Sequence, residues 1–162
     1  YDVEMSLNSF CGANDVVVNE VQVSPPPSLT LGEDIETCDA LICCTPTWNT
    51  GSDVKRSGTV WDEHIEQIPN LNCAGKPVAI VGLGDSAAFS KFFCDAMEEL
   101  YTAFQKAGGN LIGHVSGEDY IFDGSKSMID GMFCGLPIDE DNESELTDQR
   151  LSAWVTQIQS EA

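Results

Sequence analysis

Residues 40–51 read Ala40-Leu41-Ile42-Cys43-Cys44-Thr45-Pro46-Thr47-Trp48-Asn49-Thr50-Gly51. A short apolar run that breaks into Pro, Asn and Gly reads as a buried strand ending in a loop. Open α/β sheets place their ligands outside the carboxyl ends of such strands. Trp48 stands at that place, after a Pro and before residues that cannot continue a strand. It is either a plug folded back on the loop or one wall of a site.

A second run has the same form. Lys76-Pro77 opens Val78-Ala79-Ile80-Val81, which ends in Gly82-Leu83-Gly84-Asp85. Runs that are apolar on both faces suit a parallel sheet covered by helices on either side. Between the two strands, Val54 to Ile68 carries Trp61, Ile65 and Ile68 at helical spacing, with Pro69 as a stop. After the second, Lys91 to Ala107 places Phe93, Met97, Leu100, Phe104 and Ala107 on one face, closed by Gly108-Gly109. Leu111 to Val115 is the next predicted strand. Residues 116–133 are polar, glycine-rich and broken up, and Phe133 to Ile138 reads as a resumed strand. Thr147 is the expected N-cap of a last helix whose core face is Leu151, Trp154, Val155 and Ile158.

Upstream, Val3, Leu7 and Phe10 share a helical face stopped at Gly12. Residues 16–23 read as a strand, Pro25-Pro26-Pro27 as a stiff turn, and 33–38 as an acidic turn. Strand and helix in alternation imply one doubly wound α/β domain over 1–162 with helices on both faces. There is no internal repeat and no long linker.

The chain of 162 residues holds 27 acids against 7 bases, a formal charge of −20. No base precedes Lys55, and 139–162 has Arg150 as its single base. That field argues against nucleic acid, which needs a basic patch. It favours docking on a basic protein. No run approaches the ~20 apolar residues of a membrane span, and no signal peptide opens the chain. It begins at Tyr1 without Met, as a processed or incomplete product would. The seven cysteines (Cys11, Cys38, Cys43, Cys44, Cys73, Cys94, Cys134) are irregularly spaced with no C-x-x-C. This argues against a disulfide framework and a zinc site, and for a reducing compartment. His64 and His114 read as structural.

Taken together, loops 45–51 and 82–95 lie at the same edge of such a sheet. Trp48 and Phe89 then offer two faces for a flat conjugated ligand, with stacking worth roughly 0.5–1.5 kcal/mol per aromatic beyond burial. Gly82 and Gly84 allow close backbone approach, and Asp85 can cap the next helix or accept from a hydroxyl.

Several motifs in order resemble the long-chain flavodoxins: TPTWNTG at 45–51, SGTVWDE at 57–63, GLGD at 82–85, FFCDAMEE at 92–99 and GLPIDEDNESELTDQRLSAWV at 135–155. Residues 116–133 match the extra loop that splits the last strand in that group, and RSGT-WDE looks most like algal and cyanobacterial members. The resemblance implies a flavodoxin-like fold, one non-covalent FMN and single-electron transfer, with no substrate turned over. The contact set it implies is Pro46, Thr47, Trp48, Asn49, Thr50, Gly51, Gly84, Asp85, Phe89, Cys94, Asp95 and Asp141. Trp48 would lie on the inner face of the ring, and the Asn49–Thr50 peptide would meet N5. The family usually has Tyr where Phe89 stands and often Asn at Phe92. Carboxylates around a reduced anionic ring lower its potential.

Implied partners are ferredoxin-NADP reductase, photosystem I or bacterial reductases. The implied form is a monomer, in the chloroplast stroma if algal and otherwise in the cytoplasm. The family's first, central strand and its phosphate loop are not found, and the match starts inside the first helix. One expectation is an incomplete working carrier. The alternative is a diverged relative that lost FMN and kept an acidic docking surface. An FMN-dependent quinone reductase is a third class without a matching motif.

Overall fold

The computed structural model describes residues 37–162 together with Gly32 and Ile35. The readings for 2–10, 16–23, 25–27 and Cys11, most of the turn at 33–38, and the expectation about a first strand lie outside the described residues.

Both apolar runs are strands. β1 (Leu41–Pro46) pairs in parallel with β2 (Pro77–Leu83), in a register running from Leu41↔Val78 to Pro46↔Leu83. Their side chains alternate between two cores. Cys43, Val78 and Ile80 face one; Cys44, Ala79 and Val81 face the other. Residues apolar at every position of a strand are what two covered faces require.

The last strand is split. β3 (Asn110–Ile112) pairs with Pro77–Ala79 of β2, and β7 (Leu136–Ile138) pairs with Val81–Leu83, both in parallel. β1 occupies one edge of β2, so β3 and β7 share the other, one beyond the next. The chain between them forms a separate antiparallel sheet in which β6 (Met132–Phe133) pairs with β4 (Val115–Ser116) and β5 (Met128–Ile129). This corrects the two predicted strands at 111–115 and 133–138. The first stops at Ile112 because the backbone turns at Gly113, φ +79°. In the second, Phe133 belongs to the small sheet, and the chain rejoins β2 at Gly135. A Cβ there would sit 2.2 Å from the Ile80 carbonyl oxygen, so only glycine passes.

Within residues 41–162 there are three α-helices, two of them long. α1 (Trp61–His64) is one turn, followed by a 3-10 turn at Ile68–Asn70. The helix expected over 54–68 is therefore far shorter. Residues 54–60 are instead drawn out of helix, with positive φ at Lys55 and Gly58 and two of their N–H groups bound to Asp62. α2 (Ala96–Lys106) starts five residues later than the periodicity predicts, after a 3-10 turn at Ser90–Phe92 and a left-handed Cys94. Phe93, Met97, Leu100 and Phe104 are buried against the Cys43 face. α3 (Thr147–Glu161) buries Leu151, Trp154, Val155 and Ile158 on the opposite face. Thr147 is its first residue rather than its cap, and its hydroxyl bonds Glu140. The two long helices thus cover the two faces of one parallel sheet.

Candidate functional site

The carboxyl ends of β1 and β2 release two loops side by side. Pro46, the last residue of β1, is buried opposite Leu83. Thr47 N–H donates to Leu83 O at 3.1 Å, and its Oγ1 accepts from Ala96 N–H at 3.2 Å, so the first loop is fastened to the second strand and to the start of α2. The chain then turns outward. Trp48 is 72 % exposed and Phe89 49 % exposed. Burial of a Trp side chain is among the larger favourable terms available to a fold, so two large aromatics left in solvent on adjacent loops mark a surface meant to be covered.

Trp48 and Asn49 are held from behind by 55–57. Trp48 N–H donates to Ser57 O at 3.3 Å and Asn49 N–H to Arg56 O at 3.1 Å. Asn49 Nδ2 donates to Lys55 O at 2.7 Å. Asn49 O accepts Ser52 N–H at 3.1 Å, closing a turn whose third residue is Gly51 at φ +81°. That position favours glycine. Thr50 Oγ1 donates to Thr47 O at 3.1 Å. Asp62 completes the support, with Oδ1 accepting from Ser57 Oγ at 2.6 Å and Oδ2 from Gly58 N–H at 2.8 Å.

The second loop approaches the first through Phe92. A Cβ on Gly51 would lie 3.5 Å from the Phe92 ring. Gly84 is pinned too: a Cβ there would meet Cys94 N at 2.9 Å. Asp85 Oδ1 accepts from Ala87 and Ala88 N–H at 3.1 and 2.8 Å and from Asn142 Nδ2 at 2.9 Å. The Ala88 N–H and the Asn142 amide hold its carboxyl below the usual carboxylate range. Asp139 is fully buried and accepts from Ser86 N–H and Asn142 N–H. Burial opposes its ionisation, yet the bonds from Ser86 and Asn142 outweigh that, and its pKa falls.

Cys94 and Asp95 have buried side chains, turned into the protein. The Cys94 thiol contacts Gly82 O, and burial lifts its pKa well above normal, which leaves it un-ionised and unreactive. Asp95 accepts from Lys126 N–H at 2.7 Å. Burial raises its pKa, opposed by that N–H and by the charges of Arg56 and Lys126. Asp141 is exposed in the turn after β7; its neighbours Asp139 and Asn142 make the bonds to the second loop.

Residues 116–133 brace the second loop from beneath. Ser125 Oγ donates to Phe93 O at 2.6 Å and Ser127 Oγ to Cys94 O at 2.7 Å. Phe93 N–H donates to Gly124 O at 3.2 Å. Tyr120, Phe122 and Phe133 surround the Phe93 ring at 6.2, 5.9 and 6.0 Å. Lys126 Nζ reaches across to Ser52 O at 3.2 Å. Sequence reading missed Arg56, Asp62, Glu99, Ser127, Asp139 and Asn142 as supports. Apart from Asp62, which binds residues four and five before it, each acts on a loop through contacts no local spacing announces.

The family model described as flavodoxin matches residues 7–154. The chain is 38 % identical over 132 residues to a flavodoxin of Buchnera aphidicola, covering 81 % of this chain and 75 % of that one. It is 35 % identical over 130 residues to flavodoxin 1 of Escherichia coli, covering 80 % and 72 %. Among solved structures, a Fusobacterium nucleatum flavodoxin bound to flavin mononucleotide superposes with a TM-score of 0.79 at 27 % identity, covering 99 % of this chain and 89 % of that one.

Proposed function

This chain belongs to the flavodoxin family, electron-transfer proteins rather than enzymes, and from that premise we propose how its loops hold FMN and pass electrons on. The protein is an FMN-binding one-electron carrier between redox proteins. The observation that carries the residue assignment is the pair of exposed aromatics, Trp48 and Phe89, on tied loops at the ends of adjacent parallel strands.

The residues fit a flavin ring. Trp48 and Phe89 supply two apolar faces, and the peptide groups of 48–51 and 84–89 supply donors and acceptors for ring edges. Gly51 and Gly84 keep both backbones free of side chains. FMN supplies the capacity to take and give up electrons singly. The chain's own work is to bind, orient and shield. Trp48 covers the inner face and Phe89 the outer, stacking without a hydroxyl. Asn49, fixed through hydrogen bonds to Lys55, Arg56, Ser52 and Asp62, would present the Asn49–Thr50 peptide to N5. Pro46 and Thr47 set the height of the loop above the sheet. Asp85 holds the second loop closed through Asn142. Cys94 and Asp95 serve by shaping the loop from inside, and Asp141 adds negative charge nearby.

The acidic surface steers the carrier to basic partners. We assign these as ferredoxin-NADP reductase and photosystem I, or a bacterial reductase. Val54 and Phe92, exposed beside the ring loops, provide apolar contact where electrons leave by the ring edge. The split last strand with its inserted sheet supports the long-chain group, and 1–162 acts as one domain. A reducing compartment, the stroma in an alga, suits described cysteines that are in no disulfide. Among those residues no helix is long and apolar enough to cross a membrane.

The test is titration of the flavin-free chain with FMN, read by quenching of flavin fluorescence and a shifted visible spectrum. Saturable binding below tens of micromolar is expected. A chain that leaves flavin fluorescence unchanged while still binding a basic reductase in a salt-dependent way would be a docking module instead.

A further inference from the structure

The carboxylate of Glu99, on α2, sits where two consecutive backbone N–H groups converge. Lys55 N–H donates to Oε1 at 2.7 Å and Arg56 N–H to Oε2 at 2.8 Å. Lys55 has φ +57°, and a left-handed residue turns successive N–H groups to one side, forming a concavity that takes an anion. Here the anion is the protein's own. Arg56 closes over it. Its Nε lies 3.3 Å from Glu99 Oε2, an ion-pair contact rather than an aligned hydrogen bond, and its Nη2 pairs with Glu98. Arg56 is 2 % exposed, so its charge is held by these two carboxylates and little water.

The other side of the same segment faces the ring loop. The carbonyls of Lys55, Arg56 and Ser57 take Asn49 Nδ2, Asn49 N–H and Trp48 N–H. Segment 55–57 is therefore a two-sided splice: its N–H groups at 55 and 56 bind Glu99, and its carbonyls bind 48–49. Charge-assisted bonds to backbone N–H are about twice as strong as neutral ones, so the outer side of the splice is the firm one. We propose that Glu99 is the positioning residue of the Trp48 wall, fixing Trp48 and Asn49 through 55–57 and leaving adjustment to the turn at 50–53. Its consequence at the flavin rests on the carrier reading above; the clamp itself does not.

Position alone makes Glu99 different from its neighbour. Glu98 bonds the Arg56 guanidinium and Thr102 Oγ1 but takes no backbone N–H of the loop. Removing charge at 99 frees peptide groups; removing it at 98 frees only a side chain.

The experiment is residue-resolved amide exchange on the flavin-free chain, native and Glu99→Gln. The amides of Trp48, Asn49, Lys55 and Arg56 are expected to exchange about tenfold faster in the variant, the loss of one charge-assisted bond. Ser160, in the last turn of α3 and away from the clamp, exchanges by local fraying and is expected to keep its native rate. Glu99→Asp, which keeps the charge but withdraws it by a methylene, is expected to raise the same amides by a smaller factor; it serves if the Gln variant does not fold. With FMN bound, Glu99→Gln is expected to weaken affinity about tenfold and to shift the two one-electron midpoint potentials. Unchanged rates at Trp48 and Asn49, or rates that rise only in step with Ser160, would overturn the clamp. A native chain that fails to bind FMN would overturn the carrier reading and leave the clamp standing on the exchange data.

Discussion

The two ring loops do similar work and are held by different chemistry. The first, carrying Trp48, is supported by carboxylates: Asp62 under 57–58, and Glu99 under 55–56. The second, carrying Phe89, is supported by neutral groups and aromatic packing: Ser125, Ser127 and Gly124 on the backbone of 93–94, with three rings around Phe93. Carboxylates take part there too, in the Asp85–Asn142–Asp139 cluster, at Asp95 on Lys126 N–H and at Asp123 on Ser90 Oγ, but beside the inserted packing rather than in place of it. A highly acidic chain thus turns its own charge inward at the first loop, where each carboxylate finds backbone N–H groups or Arg56. At the second it spends inserted sequence instead. The first wall should answer to charge and the second to packing.

The largest expected break is at the ligand itself. Trp48→Ala removes a large ring that is 72 % exposed, so folding stability should hardly change. FMN affinity should fall about 100-fold, a loss of about 2–3 kcal/mol typical of an aromatic anchor, measured by flavin fluorescence titration. Native-like affinity in that variant would remove Trp48 from the wall.

Next in size is the brace of the second loop. Ser127→Ala takes one of two donors from the buried Cys94 carbonyl, the other being Met97 N–H. The expected cost is about 1–3 kcal/mol of unfolding free energy, read by denaturant titration. The same titration of Ser125→Ala, whose bond is only partly buried, should show the smaller loss. Equal losses would deny that burial sets the strength of this brace.

The smallest effect separates the loops by pH. Asp85 and Asp139 titrate below their ordinary value of 3.8 in the folded chain. Their contribution is present above that value and is lost as pH falls through the lower folded values. Asp95 has the opposite sign. Its folded pKa is raised above 3.8, so the folded chain gains stability as pH falls through that raised value. Acid should first relieve the strain at Asp95 and then, below 3.8, loosen the contact between 84–89 and 138–142. Asn142→Ala should cost about 1 kcal/mol at neutral pH and nothing once Asp85 and Asp139 are protonated. A pH-independent cost would show that Asn142 acts by packing alone.

Much of this was legible in the chain. The strands at 41–46 and 77–83 announced themselves because residues apolar on both faces have one common explanation, a covered parallel sheet. The face of α3 was readable because Leu151, Trp154, Val155 and Ile158 recur at helical spacing. The helix proposed for 54–68 failed although Trp61, Ile65 and Ile68 meet one core, because the backbone before them is committed to Asp62. The start of α2 was misplaced for a related reason. Phe93 keeps the helical period, but it packs among the aromatics of 120–133 from a non-helical turn.

Sequence by itself determined which residues leave water and which cannot: two covered strands, two amphipathic helices, and two aromatics stranded on loops after strands. It also determined the family, through motifs spread along the chain. The tertiary structure alone decided who holds whom. Glu99 meets residue 55 across 44 positions, Lys126 meets Ser52 across 74, and β3 and β7 share one edge of β2 around an inserted sheet. Periodicity reports burial because it is local. Partnership depends on how distant segments are brought together, and that is settled when the sheet and its two helical layers close.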